Sequence, residues 1–200
     1  MSDLKFFHIP KTGGTSIEET AKKHGILWGR YERQNKYTVP NVNKWHTPQR
    51  IEGTVFCVIR NPFDRILSNF RHVFKIKDYS VTNLNNWIPQ IIDQAKINPY
   101  IRDAHFLPQS EFAKFCDIFL LFDDLQNELN WVCDKFGVPK MDLEHHYGGV
   151  EQNEKRKDVQ YYQFSVSDIT EENKNIIQDF YFDDVILYAK THKDWTERKI

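Results

Sequence analysis

Leu4-Lys5-Phe6-Phe7-His8-Ile9-Pro10-Lys11-Thr12-Gly13-Gly14-Thr15-Ser16 decides how the chain is read. Leu4 to Ile9 suits a short buried strand, and a helix can begin at Ser16. Between them lies a tight loop with two glycines and a lysine. Adjacent glycines let backbone N–H groups approach a phosphate without interference from a Cβ. A helix start adds unpaired N–H groups and the positive end of the helix dipole. Lys11 adds a full charge, and Thr12, Thr15 and Ser16 add hydroxyl donors. The segment reads as a cradle for a ligand bearing phosphate or sulfate.

The chain around it alternates strands and helices. Ser16 to His24 has Ile17 and Ala21 on one helical face, and Gly25 suits its end. Residues 26–45 read as loop-rich, with a strand expected near Tyr37 to Val39. They lead to Lys44-Trp45-His46-Thr47-Pro48. Thr54-Val55-Phe56-Cys57-Val58-Ile59 is apolar after its first residue, as in a strand buried on both faces of a parallel sheet. It ends in Arg60-Asn61-Pro62. Phe63, Ile66, Leu67, Phe70, Val73 and Phe74 then recur at helical spacing, with Asp64, Arg65, Ser68, Asn69, Arg71 and His72 on the other side. Pro62 suits the first turn of that helix.

A further helix is expected over Leu84 to Lys96, stopped by Asn98-Pro99, and then a loop from Asp103 to Ser110. Asp117 to Phe122 reads as a third buried strand. Asp124 is placed to cap a helix with Leu125, Leu129, Val132, Cys133 and Phe136 on its apolar face, closed by Gly137 and Pro139. Residues 140–165 read as a polar surface loop. Thr170 caps a last helix that buries Ile176, Ile177, Phe180 and Tyr181, and the charged end from His192 to Ile200 is expected to fray. There is no internal repeat or linker. The expectation is one α/β domain over residues 1–200: a three-layer α/β/α arrangement with a central parallel sheet.

The 200 residues carry a formal net charge of −1, so no global field recruits nucleic acid or an anionic membrane, and anion binding must be local. Hydrophobic residues make up 40%, enough for a substantial core. The three cysteines, Cys57, Cys116 and Cys133, form no framework and read as small buried hydrophobes. Met1-Ser2-Asp3-Leu4-Lys5 does not resemble a signal peptide, and no apolar run reaches membrane-spanning length. A cytoplasmic location without membrane association is expected.

A loop of this kind first suggests a nucleoside triphosphatase or kinase. There the lysine follows the glycines, in G-x-x-x-x-G-K-[ST], and an aspartate after a buried strand helps to hold Mg²⁺. Here Lys11 precedes Gly13-Gly14, and the buried strand ends in Arg60. An arginine repels a metal ion and attracts a second anion. Metal-free chemistry on a ligand with two separate anionic groups fits better.

Phe7-His8-Ile9-Pro10-Lys11-Thr12-Gly13-Gly14-Thr15-Ser16 resembles the 5′-phosphosulfate loop of sulfotransferases that use 3′-phosphoadenosine 5′-phosphosulfate (PAPS). Arg60-Asn61-Pro62-Phe63-Asp64-Arg65-Ile66-Leu67-Ser68 resembles their 3′-phosphate motif, R-[ND]-P-x-x-R-x-x-S. His105-Phe106-Leu107-Pro108-Gln109-Ser110 is similar to an H-[WF]-x-P-Q-[ST] element of the carbohydrate (heparan and chondroitin) branch, which the final helix also resembles. The resemblance implies a fold like that of the P-loop nucleotide hydrolases, PAPS as donor co-substrate, no metal, and a hydroxyl acceptor, which by branch is a carbohydrate. Lys11 would face the bridging oxygen of the phosphosulfate, where charge grows as the S–O bond breaks. Lys11, Thr12, Gly13, Gly14, Thr15 and Ser16 would hold the 5′-phosphosulfate, and Arg60 and Ser68 the 3′-phosphate.

The acceptor hydroxyl needs a base. His46 stands where this branch often carries a histidine proposed for that role. His105 is the second candidate, and Glu18 or Glu19 the remaining ones. His8, inside the first strand, reads as structural, and the adjacent His145 and His146 make a weak metal pair. Lys155-Arg156-Lys157 is either solvated charge or part of a loop over the donor; the R-K-G pattern of such loops is missing. Two rivals are a nucleotide kinase of similar fold and a non-catalytic module that binds nucleotide or sulfated glycan.

Overall fold

The structure, a computed structural model, describes residues 3–32, 39, 42–74, 79–144 and 164–199. The expected strand at Tyr37–Val39, the His145-His146 pair and the Lys155-Arg156-Lys157 run lie, wholly or in their larger part, outside the described residues. Strands β1 (Leu4–Phe6), β2 (Thr54–Ile59) and β3 (Ile118–Leu121) form one parallel sheet in the order β1-β2-β3. The register places Phe6 beside Phe56 and Phe56 beside Ile118.

The period-2 alternation of β2 sorts its side chains into two cores. Phe56 and Val58 pack with Leu4, Phe6 and the helices α1 (Gly14–Lys23) and, after β3, Leu125–Lys135. Val55, Cys57 and Ile59 pack on the opposite face with Phe7, Ile9 and Phe112. Both faces of the central strand are therefore covered, which is the three-layer α/β/α arrangement expected. A third cluster sits beside the sheet, where α2 (Pro62–Val73) and α3 (Val81–Ile97) bury Leu67, Phe70, Trp87 and Ile91.

Boundaries differ where side chains compete with the backbone pattern. β1 stops at Phe6 rather than Ile9, although the Phe7 amide still donates to the Phe56 carbonyl at 2.8 Å. α1 begins at Gly14, two residues before the expected Ser16, because Gly13 adopts the left-handed conformation (φ 84°) that starts it. α3 begins at Val81, capped by Ser80, whose hydroxyl accepts from the Asn83 amide at 3.0 Å. The expected loop before Ser110 contains a turn at Ile101–Ala104 and the start of a short helix, α4 (Gln109–Ala113). Asp124 precedes α5 (Leu125–Lys135) but caps no backbone group. Its carboxylate instead accepts from Asn127 Nδ2 at 2.7 Å and from Trp195 Nε1 at 2.9 Å.

The largest correction is at the C-terminus. α6 (Glu171–Phe180) is followed by a second helix, α7 (Phe182–Arg198), so the segment expected to fray is helical to Arg198. Trp195 and Lys199 tie it to Asp124, and Arg198 donates to Glu128 at 2.6 Å. No helix among the described residues is long and apolar enough to cross a membrane.

Candidate active site

A cavity of about 710 Å³ opens beyond the C-terminal ends of the strands. Its first wall is the glycine loop: Pro10, Lys11, Gly13, Gly14, Thr15 and Ser16. Lys11 itself is left-handed (φ 68°), and a side chain is forbidden at both glycines for different reasons. At Gly13 the backbone is left-handed, and a Cβ would fall 2.9 Å from Leu125. At Gly14 a Cβ would lie 2.4 Å from the His8 ring. The amides at the start of α1 have no intrahelical acceptor and border this cavity. Thr12 differs from its neighbours: it is fully buried, and its hydroxyl donates to the Ile9 carbonyl at 2.9 Å. It braces the loop.

The second wall carries Arg60 and Ser68. Arg60 Nη1 donates to the Lys11 carbonyl at 3.0 Å, which links the end of β2 to the glycine loop, and the guanidinium lies 4.2 Å over the Phe122 ring. Its Nε is buried without a hydrogen-bond partner. Burial pulls the Lys11 ammonium down to about 8, with the positive charges of Arg60 and Arg71 pushing the same way. Burial likewise lowers Arg60 to about 10 despite Asp64 and Asp123 nearby. Cations held close together in a desolvated cleft are poised for an anion.

Histidines make the third wall. His8, His46, His105 and His72 form a row with successive ring centroids 4.8, 5.8 and 5.1 Å apart. His46 Nδ1 donates to Asp103 Oδ2 at 2.7 Å, and its Nε2 is buried with no partner. Burial lowers its pKa to about 4 even though Asp103 opposes the shift. His105 Nδ1 lies 3.1 Å from Asn69 Oδ1, while Asn69 Nδ2 donates to the His105 carbonyl. Burial and the charges of His46, Lys11 and His72 lower His105 to about 2. Both rings are thus neutral near pH 7, with Nδ1 bearing the proton and Nε2 the lone pair.

A family model described as Sulfotransferase family matches residues 2–191. The chain belongs to the sulfotransferase family. No curated protein and no solved structure matches it.

Within this sulfotransferase, Lys11, Gly13, Gly14, Thr15, Ser16, Arg60, Ser68, His46 and His105 line one cavity, whereas Thr12, Glu18 and Glu19 do not. His8 also reaches it, held by Glu18 at 2.8 Å. The carboxylates offered as alternative bases are engaged elsewhere. Glu18 is fully buried and accepts from His8 and from the Arg30 amide at 2.8 Å. Glu19 accepts from Arg30 at 2.7 Å and Tyr31 at 2.6 Å.

Four residues that shape the sulfotransferase site had no assigned role. Arg71 adds positive field to Lys11 and Arg60. Buried Arg65 donates to the carbonyls of Pro10 (3.0 Å), His105 (3.1 Å) and Leu107 (3.0 Å), tying the glycine loop to the histidine segment. Gln109 clasps the main chain of Arg60, accepting at 3.0 Å and donating at 2.8 Å. Asp103 holds His46. The repeat of arginine five residues after Arg60 and the H-F-x-P-Q string were the available signals for Arg65 and Gln109; no signal pointed to Asp103.

His46, Asp103 and His105 also present ligand atoms within 4.8 Å of one another, the one such group found among the described residues. The Asp103 oxygens already accept from the Asn43 amide at 2.5 Å, Asn43 Nδ2 at 2.6 Å and His46 at 2.7 Å. The carboxylate is therefore better suited to orienting an imidazole than to ligating an ion.

Proposed function

We propose that the protein, acting as a single catalytic domain, transfers a sulfuryl group from PAPS to an acceptor hydroxyl on a carbohydrate. The 5′-phosphosulfate lies in the glycine loop against the amides of Gly13, Gly14 and Thr15 and the hydroxyls of Thr15 and Ser16. Arg60 and Ser68 receive the 3′-phosphate. His46 Nε2 accepts the acceptor proton as the hydroxyl oxygen attacks sulfur. The bond between sulfur and the bridging oxygen breaks, and 3′,5′-diphosphoadenosine leaves. Lys11 neutralises charge on that leaving oxygen, an interaction stronger in the transition state than in the ground state. His105 is the weaker base, because burial and the positive groups around it lower its proton affinity further, and it accepts a hydrogen bond from the acceptor. The scheme uses no metal.

The observation that carries this reading is the union of two cationic anion sites with a neutral histidine whose buried Nε2 is unpartnered, all on one cavity. The carbohydrate acceptor rests on branch resemblance and on Trp45, which lines the cavity beside His46 and offers a flat apolar surface to a sugar ring. Calorimetric titration tests the donor. Tight metal-independent binding of 3′,5′-diphosphoadenosine is expected, with weak binding of ATP. Tight Mg²⁺-dependent ATP binding with none for the diphosphoadenosine would overturn the reading.

A further inference from the structure

We propose that Asp103 is the positioning residue for His46, delivered to it by a left-handed turn that the fold maintains for this purpose. The inference rests on the sulfuryl-transfer reading only in assigning what His46 does. Arg102 (φ 50°, ψ 49°), Asp103 (φ 60°, ψ 44°) and Ala104 (φ 59°) are successive non-glycine residues in the left-handed region. L-residues enter that region at an energetic cost, and runs of them are rare. Such a run persists only where its surroundings hold it.

Here they do. Ala104 is fully buried in the core under β2. The next residue, His105, has its carbonyl fixed by Arg65 at 3.1 Å and Asn69 at 3.2 Å. Asp103 accepts two bonds from Asn43, at 2.5 and 2.6 Å, in the segment that leads into the short helical turn Lys44–His46. One turn therefore presents the carboxylate to His46 and places His105 in the cavity.

The carboxylate performs two tasks. By accepting the Nδ1 proton it fixes the tautomer in which Nε2 carries the lone pair. It also opposes what disfavours an imidazolium at this place, the buried surroundings and then His8, with Glu18 behind His8 supplying the other negative charge. When Nε2 takes the acceptor proton, the new positive charge faces Asp103. Asp103 touches no reacting atom.

Asp103→Asn tests this. Asparagine is among the residues most tolerant of the left-handed region, so the turn survives. Its carbonyl still accepts from Asn43, but its amide presents N–H to His46 Nδ1 and forces the proton to Nε2. The expected results are a fall in kcat of about 10³-fold or more, a dissociation constant for 3′,5′-diphosphoadenosine within about twofold of the parent, and a change of the His46 ¹⁵N signals to the Nε2–H tautomer. A companion cycle compares His46→Ala, Asp103→Asn and the double variant; the double variant should be no slower than His46→Ala. An unchanged tautomer, additive losses in the cycle, or diphosphoadenosine binding that falls in step with kcat would overturn the proposal. The ¹⁵N readout needs no turnover. A protein that shows the tautomer change but transfers no sulfuryl group would refute the reaction and leave the dyad standing.

Discussion

Raising the pH through the titration of Lys11 probes the proposed donor site directly. In the ligand-free protein Lys11 titrates at about 8, because burial and the neighbouring Arg60 and Arg71 disfavour its ammonium. Bound 3′,5′-diphosphoadenosine brings phosphate charge into the same cleft and restores the ammonium toward its ordinary value of about 10.4. The sign follows: the complex holds a proton that the free protein has lost, so binding weakens as pH rises above about 8. With those two values, affinity falls about thirtyfold between roughly pH 7 and 9.5, equivalent to about 2 kcal/mol. The phosphate groups are already ionised over this range and contribute no slope. Calorimetry in buffers of different ionisation enthalpy reads both quantities and should record uptake of about one proton near pH 9. Lys11→Arg, which stays charged, should flatten the profile. A pH-independent affinity in the parent, or the same slope in Lys11→Arg, would refute the placement of Lys11 against the ligand's phosphates.

Other perturbations follow from the same contacts. Gly14→Ala sets a Cβ 2.4 Å from the anchored His8 ring; urea unfolding should show a loss of about 1–3 kcal/mol, and calorimetry a weakened diphosphoadenosine affinity. Arg102→Gly relieves one left-handed side chain and should raise the melting temperature by about 2–4 °C for about 1 kcal/mol gained, with kcat unchanged. His46 falls from an ordinary value near 6.5 to about 4 in the folded protein. The unfolded chain then binds more protons at acid pH, so stability declines from about pH 6.5 down to about 4, by about 3 kcal/mol from this residue. Denaturant midpoints measured across that range should show the decline, and His46→Gln should reduce it.

Most of the glycine-loop and Arg60 walls of the cavity was legible in the sequence. β2 is apolar after Thr54, and its bounds agree with the expected Thr54 to Ile59. The glycine loop and the Arg60 motif are local strings, so their residues meet on one cavity once a parallel sheet is assumed. What escaped reading depends on contacts between distant segments. The bond between Asp103 and His46 spans 57 residues. Its left-handed turn is made by Arg-Asp-Ala, which lacks the glycine that normally announces such geometry. Arg65 looked like a solvent-facing helix residue, because three backbone carbonyls carry no sequence signature as acceptors. The charges from His192 onward suit water equally well, so the sequence predicts fraying there; only their pairing with Asp124 and Glu128 reveals a docked helix end.

The central claim is best tested by donor turnover. The protein is incubated with PAPS and a panel of glycans; 3′,5′-diphosphoadenosine is quantified and the acceptors are read by mass spectrometry. The account predicts diphosphoadenosine and a sulfated hydroxyl in equal amounts, with the reaction lost in Lys11→Ala and His46→Ala. Tight diphosphoadenosine binding without transfer to any glycan, peptide or small hydroxyl acceptor would contradict it and leave a binding module.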